Sequence, residues 1–567
     1  YLLRQLRNRL QHKRLPFPHR HIAAMTRKAL LTLTFLLSLA VLHSQNNIDY
    51  LLNCQCGTVL TSSQTDDLRQ AFELYNAKRL TQSIRLARQV MKQAPQSPHP
   101  YFLMGLIYAK RENLMKVSAM FKKVNAICPD YPDARAHFFI GMVNYSNEEF
   151  GKATDNLNRF FELAANDPQS IYAEYREDAE IYRRWSAFLN NMATNPVPFE
   201  PKSMTNISTQ HNDLLPYRTV DGSQFWLYRF IPKYKTEALG YQPETQEKTL
   251  KLFQCRLLPY GNYSEGKVMG TPFNRTGTEG GVTLTADNHL LFYSIIKKES
   301  NGYNNSDIFF TEFKNGRWQP SENIGPVINN ANSSEAMPSV TPDGKRLYFA
   351  SNRKGGLGGD DIWCSERQPD GSWGEPYNLG SAVNTPGDER FPFICADGET
   401  LFFSSNGQMC IGGYDVFYVR LDGNNTAPAK NLGYPINTDA DEVGFGITAD
   451  GTKAYFSSNR YPGKGGMDIF EFELYQQARP KRMIVLKGKA IDKNGNAIGE
   501  KVAVVENTTK KRTEFPVNER NGRFTVVVKA ECGNDISLMQ NGRCLATKKV
   551  GPDTAGCRGE IVFLRRK

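Results

Sequence analysis

The sequence is poor in the residues that most catalytic sites are built from. Among its 567 residues are only 8 histidines, three of them (His12, His19, His21) in the first 24 positions. No Gly-x-Ser-x-Gly elbow, Walker-type phosphate loop or His-Glu-x-x-His pair occurs. Their absence removes the common serine-hydrolase, P-loop and zincin signatures. No Cys-x-x-Cys pair and no Cys/His cluster has zinc spacing. The longest apolar run, Ala29–Leu42, is too short to cross roughly 30 Å of hydrocarbon comfortably. These absences predict a chain that is not an enzyme, with no catalytic residue, cofactor or metal.

What is present is a long, moderately charged, glycine-rich chain. Its 40% hydrophobic and 23% charged residues describe globular domains, and the length allows about three or four. The net charge of +12 is unevenly placed. Eight Lys/Arg and no acid fall within Tyr1–Lys28, and 19 basic against 9 acidic residues fall within Lys481–Lys567. The rest is slightly acidic, so the basic balance is no footprint for nucleic acid, and no nucleic-acid partner is expected.

Met25-Thr-Arg-Lys followed by Ala29–Leu42 and then polar residues is the pattern of a secretory signal peptide over 25–44. Residues 1–24 are expected to be a non-native upstream extension, and 45–65 a linker. Export permits disulfides. Cys532, Cys544 and Cys557 cluster near the end, where one bridge is expected with its pairing open. Cys54 and Cys56 are too close in sequence to bridge each other easily.

Over 66–192 apolar residues recur every three to four positions. Gly105 and Pro129 lie 24 apart, Pro95 precedes Pro129 by 34, and Gly141 follows Gly105 by 36. Those offsets are the period and close-contact positions of a tetratricopeptide-like α-solenoid, here three hairpins and a capping helix over Ile171–Asn190. Such a surface binds peptide segments.

Over 197–478 a second repeat appears. Glu279, Glu335, Glu389 and Glu442 are spaced by 56, 54 and 53 residues. An aspartate follows each by eight (Asp287, Asp343, Asp397, Asp450), then an apolar-aromatic strand. A further strand opens at Asp307, Asp361, Asp415 and Asp468, and in three copies an edge closes with Asn-Ile/Leu-Gly and a second Asn four residues after the glycine. Four short strands per repeat, joined by glycine turns, predict a radial β-propeller whose units bury one another's faces. Asp213 with Asp221-Gly222 marks a divergent first unit, with an insertion at Tyr234–Met269; five blades is the expected count. Asp213, Glu279, Glu335, Glu389 and Glu442 precede each innermost strand. They suit either a ring at the channel mouth that attracts a cation or basic peptide, or carboxylates that bind backbone N–H groups and fix the blades. The Asp307 series reads as turn chemistry.

From 483 to 567 alternating strands surround Asp492-Lys-Asn-Gly495 and Gly522-Arg-Phe524. This stretch resembles the carboxypeptidase regulatory-like β-sandwich, a non-catalytic module. The segment Pro338–Arg353 is similar to the TolB-like, WD40-related propeller repeat. In that order, signal peptide, tetratricopeptide repeats, propeller and sandwich resemble the multidomain OmpA-family envelope proteins of Bacteroidota, which include components of type IX secretion. The resemblance implies an exported, periplasmic, outer-membrane-associated scaffold in type IX secretion or envelope integrity. It implies protein partners for the repeats and propeller, and an anionic envelope surface for the basic sandwich. The family's peptidoglycan grip lies in an OmpA-like domain beyond the residues given, so peptidoglycan binding is not expected of them. The alternative expectation is a periplasmic binding protein that takes a peptide, glycan or cation in the propeller channel.

Overall fold

The computed structural model describes residues 49–564 except 53, 55, 166–171, 238–239, 276–277, 299–303, 422–425 and 553–560. The upstream extension and signal peptide lie outside the described residues. The chain divides into two compact units, Tyr1–Thr194 and Asn195–Lys567. The first is helical and the second is built mainly from antiparallel sheets, the expected combination of α and β structure.

The helices of the first unit are α1 (Asp49–Leu52), α2 (Ser62–Asn76), α3 (Leu80–Gln93), α4 (His99–Lys110), α5 (Leu114–Ile127), α6 (Ala134–Ser146), α7 (Phe150–Ala165) and α8 (Ala173–Thr194). Polar caps set where several begin: Thr61 and Gln64 form a capping box, and Asn113 and Asp133 cap α5 and α6. The pairs α2/α3, α4/α5 and α6/α7 each turn through one left-handed residue, Lys78, Glu112 or Glu148. Gly105 and Gly141 permit close approach, because a Cβ there would lie 2.6 Å from the Phe121 ring or 2.7 Å from Leu157. Phe102, Phe121, Tyr131 and Phe160 are fully buried between the pairs.

Two expectations are corrected in this unit. Residues 45–65 are not simply a linker, since Leu51 is buried in the helical core and Thr58 N–H donates to Gln96 O at 2.9 Å. The disulfide found among the described residues joins Cys56 to Cys128, 72 positions apart. Cys532 is buried and free, Cys544 is exposed and free, and Cys557 lies outside the described residues. Sequence separation hides this pairing, because Cys128 meets Cys56 only once α5 has folded.

The second unit contains five successive sheets. Their innermost strands are Asp213–Arg218, Thr278–Leu284, Glu335–Val340, Glu389–Ile394 and Gly446–Ile447. Each is followed outward by antiparallel neighbours, and the fifth sheet takes its outermost strand, Lys202–Ser203, from before the first sheet. One apolar cluster lies between each neighbouring pair. Trp226 and Tyr293 join the first sheet to the second, Phe292 and Phe349 the second to the third, and Tyr348 and Phe403 the third to the fourth. Phe402 and Phe445 join the fourth to the fifth, and Phe225 and Tyr455 return the fifth to the first. The sheets therefore close into a ring, and each face that one sheet alone would expose is covered by the next.

The insertion expected at Tyr234–Met269 is also corrected. The strands Gln224–Glu237 and Gly240–Arg256 pair along their length, so the extra residues extend a hairpin. Leu250–Arg256 and Lys267–Val268 belong to the regular sheet. Beyond the ring, the described residues between Met483 and Leu564 form a three-stranded and a four-stranded sheet around Leu486, Val502, Phe515, Val526 and Leu538. The sequence separates this module from the ring between 478 and 483, yet both lie in one compact unit.

Candidate functional site

The five repeated acids sit where the chain enters each innermost strand, and each is used by its own loop. Every one accepts the backbone N–H of the residue four or five positions earlier. Those donors are Thr209 to Asp213 (2.8 Å), Asn274 to Glu279 (2.6 Å), Asn330 to Glu335 (2.9 Å), Thr385 to Glu389 (2.8 Å) and Thr438 to Glu442 (3.0 Å). Hydroxyls complete several: Ser333 and Ser351 donate to Glu335, and Thr385 and Ser405 donate to Glu389. Asp213 also accepts Arg229 Nε at 2.5 Å, with both side chains buried. Burial pushes Glu279 and Glu442 up to about 7 despite these bonds, and raises Asp213 and Glu389 in the same direction. The geometry is that of carboxylates holding a loop onto a strand, not of a ring sharing one ion.

The second acidic series behaves alike. Asp361 accepts Leu357 N–H, Gly358 N–H and Asn378 Nδ2, and Asp415 accepts Ile411 N–H, Gly412 N–H and Asn431 Nδ2. The asparagine six residues on (Asn384, Asn437) then bonds both backbone groups of the third strand. The repeated Asn-Leu-Gly text is thus a clamp on each outer edge.

The innermost strands meet around the centre of the ring. A cavity of about 20 Å³ remains, lined from all five innermost strands by residues including Tyr217, Thr283, Ser339, Phe393 and Ile447. That holds about one water. Neighbouring innermost strands are tied across it: Val340 N–H donates to Thr283 Oγ1, Ile394 N–H to Ser339 Oγ, and Leu284 N–H to the Tyr217 hydroxyl.

The terminal module packs onto one end of the ring, where strand-to-strand turns of all five sheets meet it. Val220, Ala286 and Ala396 join its apolar core. Lys487 pairs with Asp221 at 2.8 Å, and Lys511 and Lys481 both pair with Glu399. Asn518 meets His289 at 3.1 Å, Lys345 meets Glu514 at 3.9 Å, and Met483 N–H donates to Ala449 O. Burial would raise Asp221, but Lys487 and the Thr219 hydroxyl hold it down at about 2. Part of the module's basic charge is therefore spent inside the molecule, which the charge count alone does not reveal.

The helical unit carries the larger open space. A groove of about 610 Å³ runs between α5, α6 and α7, lined by Lys122, Asn125, Asn144, Asn147, Lys152 and Asn156 among others. The amide of Asn156 donates to Lys152 O. Side-chain amides offer both donor and acceptor, the pairing that an extended backbone requires. Sequence periodicity placed these helices but did not single out these asparagines; polar residues facing a helical groove look like any solvated face. Among the described residues one cluster has metal-ligand spacing, Cys54, Cys56 and Cys128, and no helix is long and apolar enough to cross a membrane.

No protein-family model and no curated protein matches the chain. Solved structures do. A protein of unknown function from Dyadobacter fermentans is 10% identical over 46% of this chain and 75% of its own, with a TM-score of 0.29. The α-L-arabinofuranosidase PaAbf62A from Podospora anserina, solved with cellotriose, is 11% identical over 48% of this chain and 92% of its own, at TM-score 0.28. A puromycin-hydrolyzing peptidase from Mycobacterium tuberculosis is 14% identical over 60% and 61%, at TM-score 0.27. With a glycoside hydrolase and a peptidase among the solved structures that the chain is similar to, the expectation that it is not an enzyme is corrected: that exclusion does not stand.

Proposed function

We propose that the protein is an interaction scaffold of the bacterial cell envelope, exported to the periplasm and associated with the outer membrane. It would serve type IX secretion or envelope integrity, like the OmpA-family proteins of Bacteroidota that it resembles. In this reading the helical unit is a tetratricopeptide-like solenoid. The ring is a five-bladed TolB-like propeller closed by Lys202–Ser203, and the terminal module is a carboxypeptidase regulatory-like sandwich. The helical groove receives an extended segment of a partner protein. The exposed basic strand Arg543–Val550 faces an anionic envelope surface.

The observation that supports this reading is the distribution of free space. About 610 Å³ lies open between α5, α6 and α7, against about 20 Å³ at the centre of the ring. A peptide, glycan or hydrated cation needs far more room than this central cavity, which holds about one water. The test is recovery of envelope proteins from solubilised membranes with the wild type and with an Asn125→Ala/Asn144→Ala/Asn147→Ala variant, beside export of type IX cargo in a deletion strain. The scaffold reading expects a partner that the wild type retains and the variant loses. Normal export, with no envelope partner recovered, overturns it.

A further inference from the structure

The sulfur of Cys54 has no role in the groove or in the ring, yet it is not isolated. Its Sγ and the two sulfurs of the Cys56–Cys128 bridge all lie within 4.8 Å of one another. Cys54 and Cys56 are half-buried against the helical core, and Cys128, at the end of α5, is buried. The segment that carries both is held close: Cys54 N–H donates to Leu51 O, and Thr58 N–H to Gln96 O. A Cβ on Gly57 would sit 2.0 Å from Gln96 O, so the chain cannot retreat from this position without losing the contact. Since Cys56 and Cys128 are bonded to each other, the trio offers a metal one thiolate and not three. What it offers chemically is a thiol beside a disulfide.

We propose that Cys54, Cys56 and Cys128 form a thiol–disulfide exchange site. The Cys54 thiolate attacks the sulfur of Cys128, a Cys54–Cys128 bond forms as the Cys56–Cys128 bond breaks, and Cys56 leaves as a thiolate. The proton given up by Cys54 is matched by the one Cys56 takes up, and no oxidant or reductant is consumed. Attack on Cys128 is favoured over attack on Cys56, because a Cys54–Cys56 bond would close a strained ring around the single residue Gln55. The two permitted bridges enclose loops that differ by only two residues, so their chain-entropy contributions are nearly equal and neither linkage is excluded on that ground. The bridge therefore has two positions, and each presents a different free thiol, Cys56 or Cys54, whose thiolate can attack a partner disulfide, forming a mixed disulfide as one partner sulfur leaves as a thiolate.

The test maps the linkage in the full chain, purified without reductant. One sample is quenched in acid at once and another after incubation at mildly alkaline pH. Each is then labelled with N-ethylmaleimide and digested, and fragment ions that separate Cys54 from Cys56 locate the label. Exchange predicts label on both Cys54 and Cys56 after incubation, with Cys128 always bridged. Cys54→Ser removes all label from Cys56. Cys56→Ser gives a Cys54–Cys128 bridge with unchanged helical circular dichroism. Label confined to Cys54 in the wild type, or Cys128 left free in folded Cys56→Ser, overturns the proposal.

Discussion

In the helical unit, successive hairpins close where a side chain is missing: Gly105 lies under the Phe121 ring and Gly141 under Leu157. In the ring, the first four sheets are anchored where a carboxyl side chain is buried: Asp213 and Glu335 are wholly buried and bonded through both oxygens. The contrast follows from where each element leaves its backbone groups. Helices satisfy their own N–H and C=O, so joining two of them is a question of distance. An innermost strand has a free edge, and the loop that feeds it has unpaired N–H groups, so joining sheets is a question of polar satisfaction. Thr283, Ser339 and Tyr217 supply partners along the edge, and the repeated carboxylates supply them at its start.

The largest expected effect tests the polar side of this contrast. Asp213→Ala leaves the buried Arg229 guanidinium without its carboxylate and Thr209 N–H without an acceptor. Breaking such a pair costs about 3–5 kcal/mol. Urea unfolding followed by ring-strand hydrogen exchange should show that loss in the second unit, with the helical unit unchanged. A loss below about 1 kcal/mol, the value of an exposed pair, would mean that the carboxylate is dispensable.

The two units should also answer pH with opposite slopes. Burial holds Glu279 and Glu442 up at about 7 in the folded ring, above their unfolded value of 4.5. The folded state thus binds more protons than the unfolded state between those values, and the ring loses stability as pH rises through 7. In the helical unit burial pushes His99 down to about 4, below 6.5. There the unfolded state binds more protons, and stability is lost as pH falls from 6.5 towards 4. Each group is linked to roughly 3 kcal/mol across its window. Segment-resolved hydrogen exchange at pH 5 and pH 8 should show the ring better protected at the lower value. A Glu279→Gln/Glu442→Gln variant should flatten its response. Parallel slopes in the two units would contradict the assignment.

The steric side predicts a smaller loss. Gly105→Val forces a Cβ to within 2.6 Å of the Phe121 ring and should cost about 1–3 kcal/mol, read as a lower Tm of the helical unit. This contact was legible in the sequence, because the repeat spacing of Gly105 and Gly141 marks both glycines as close-contact positions. The repeat of Glu279, Glu335, Glu389 and Glu442 was equally legible, and so were the Asp-Gly turns. What the carboxylates do was not, since an acid that accepts a backbone N–H and an acid that lines a channel share one letter and one period. The Cys56–Cys128 bridge and the pairing of Lys487 with Asp221 were hidden for a related reason. Each joins segments far apart in the chain, and no local pattern records the partner.

The smallest expected effect concerns a left-handed residue that the ring repeats five times, at a bulge in the first four sheets. Two residues after each acid the chain passes through a left-handed residue: Leu215, Gly281, Met337, Phe391 and Gly444. The register against the second strand slips at this point in the first four sheets. Left-handed backbone costs a side-chain-bearing residue about 1–2 kcal/mol, so Met337→Gly relieves strain. It also deletes a half-buried side chain and adds freedom to the unfolded chain, worth about 0.5–1 kcal/mol. The terms oppose, and the net change should lie within about 1 kcal/mol of zero. The reverse change is not symmetrical. A Cβ on Gly281 would stand 2.9 Å from Met337 Cα, a backbone atom that cannot swing aside, so Gly281→Ala must destabilise. If Met337→Gly instead lowers stability by several kcal/mol while Gly281→Ala is neutral, the bulge is set by side-chain packing at the mouth of the ring, and the backbone does not determine where the slip occurs.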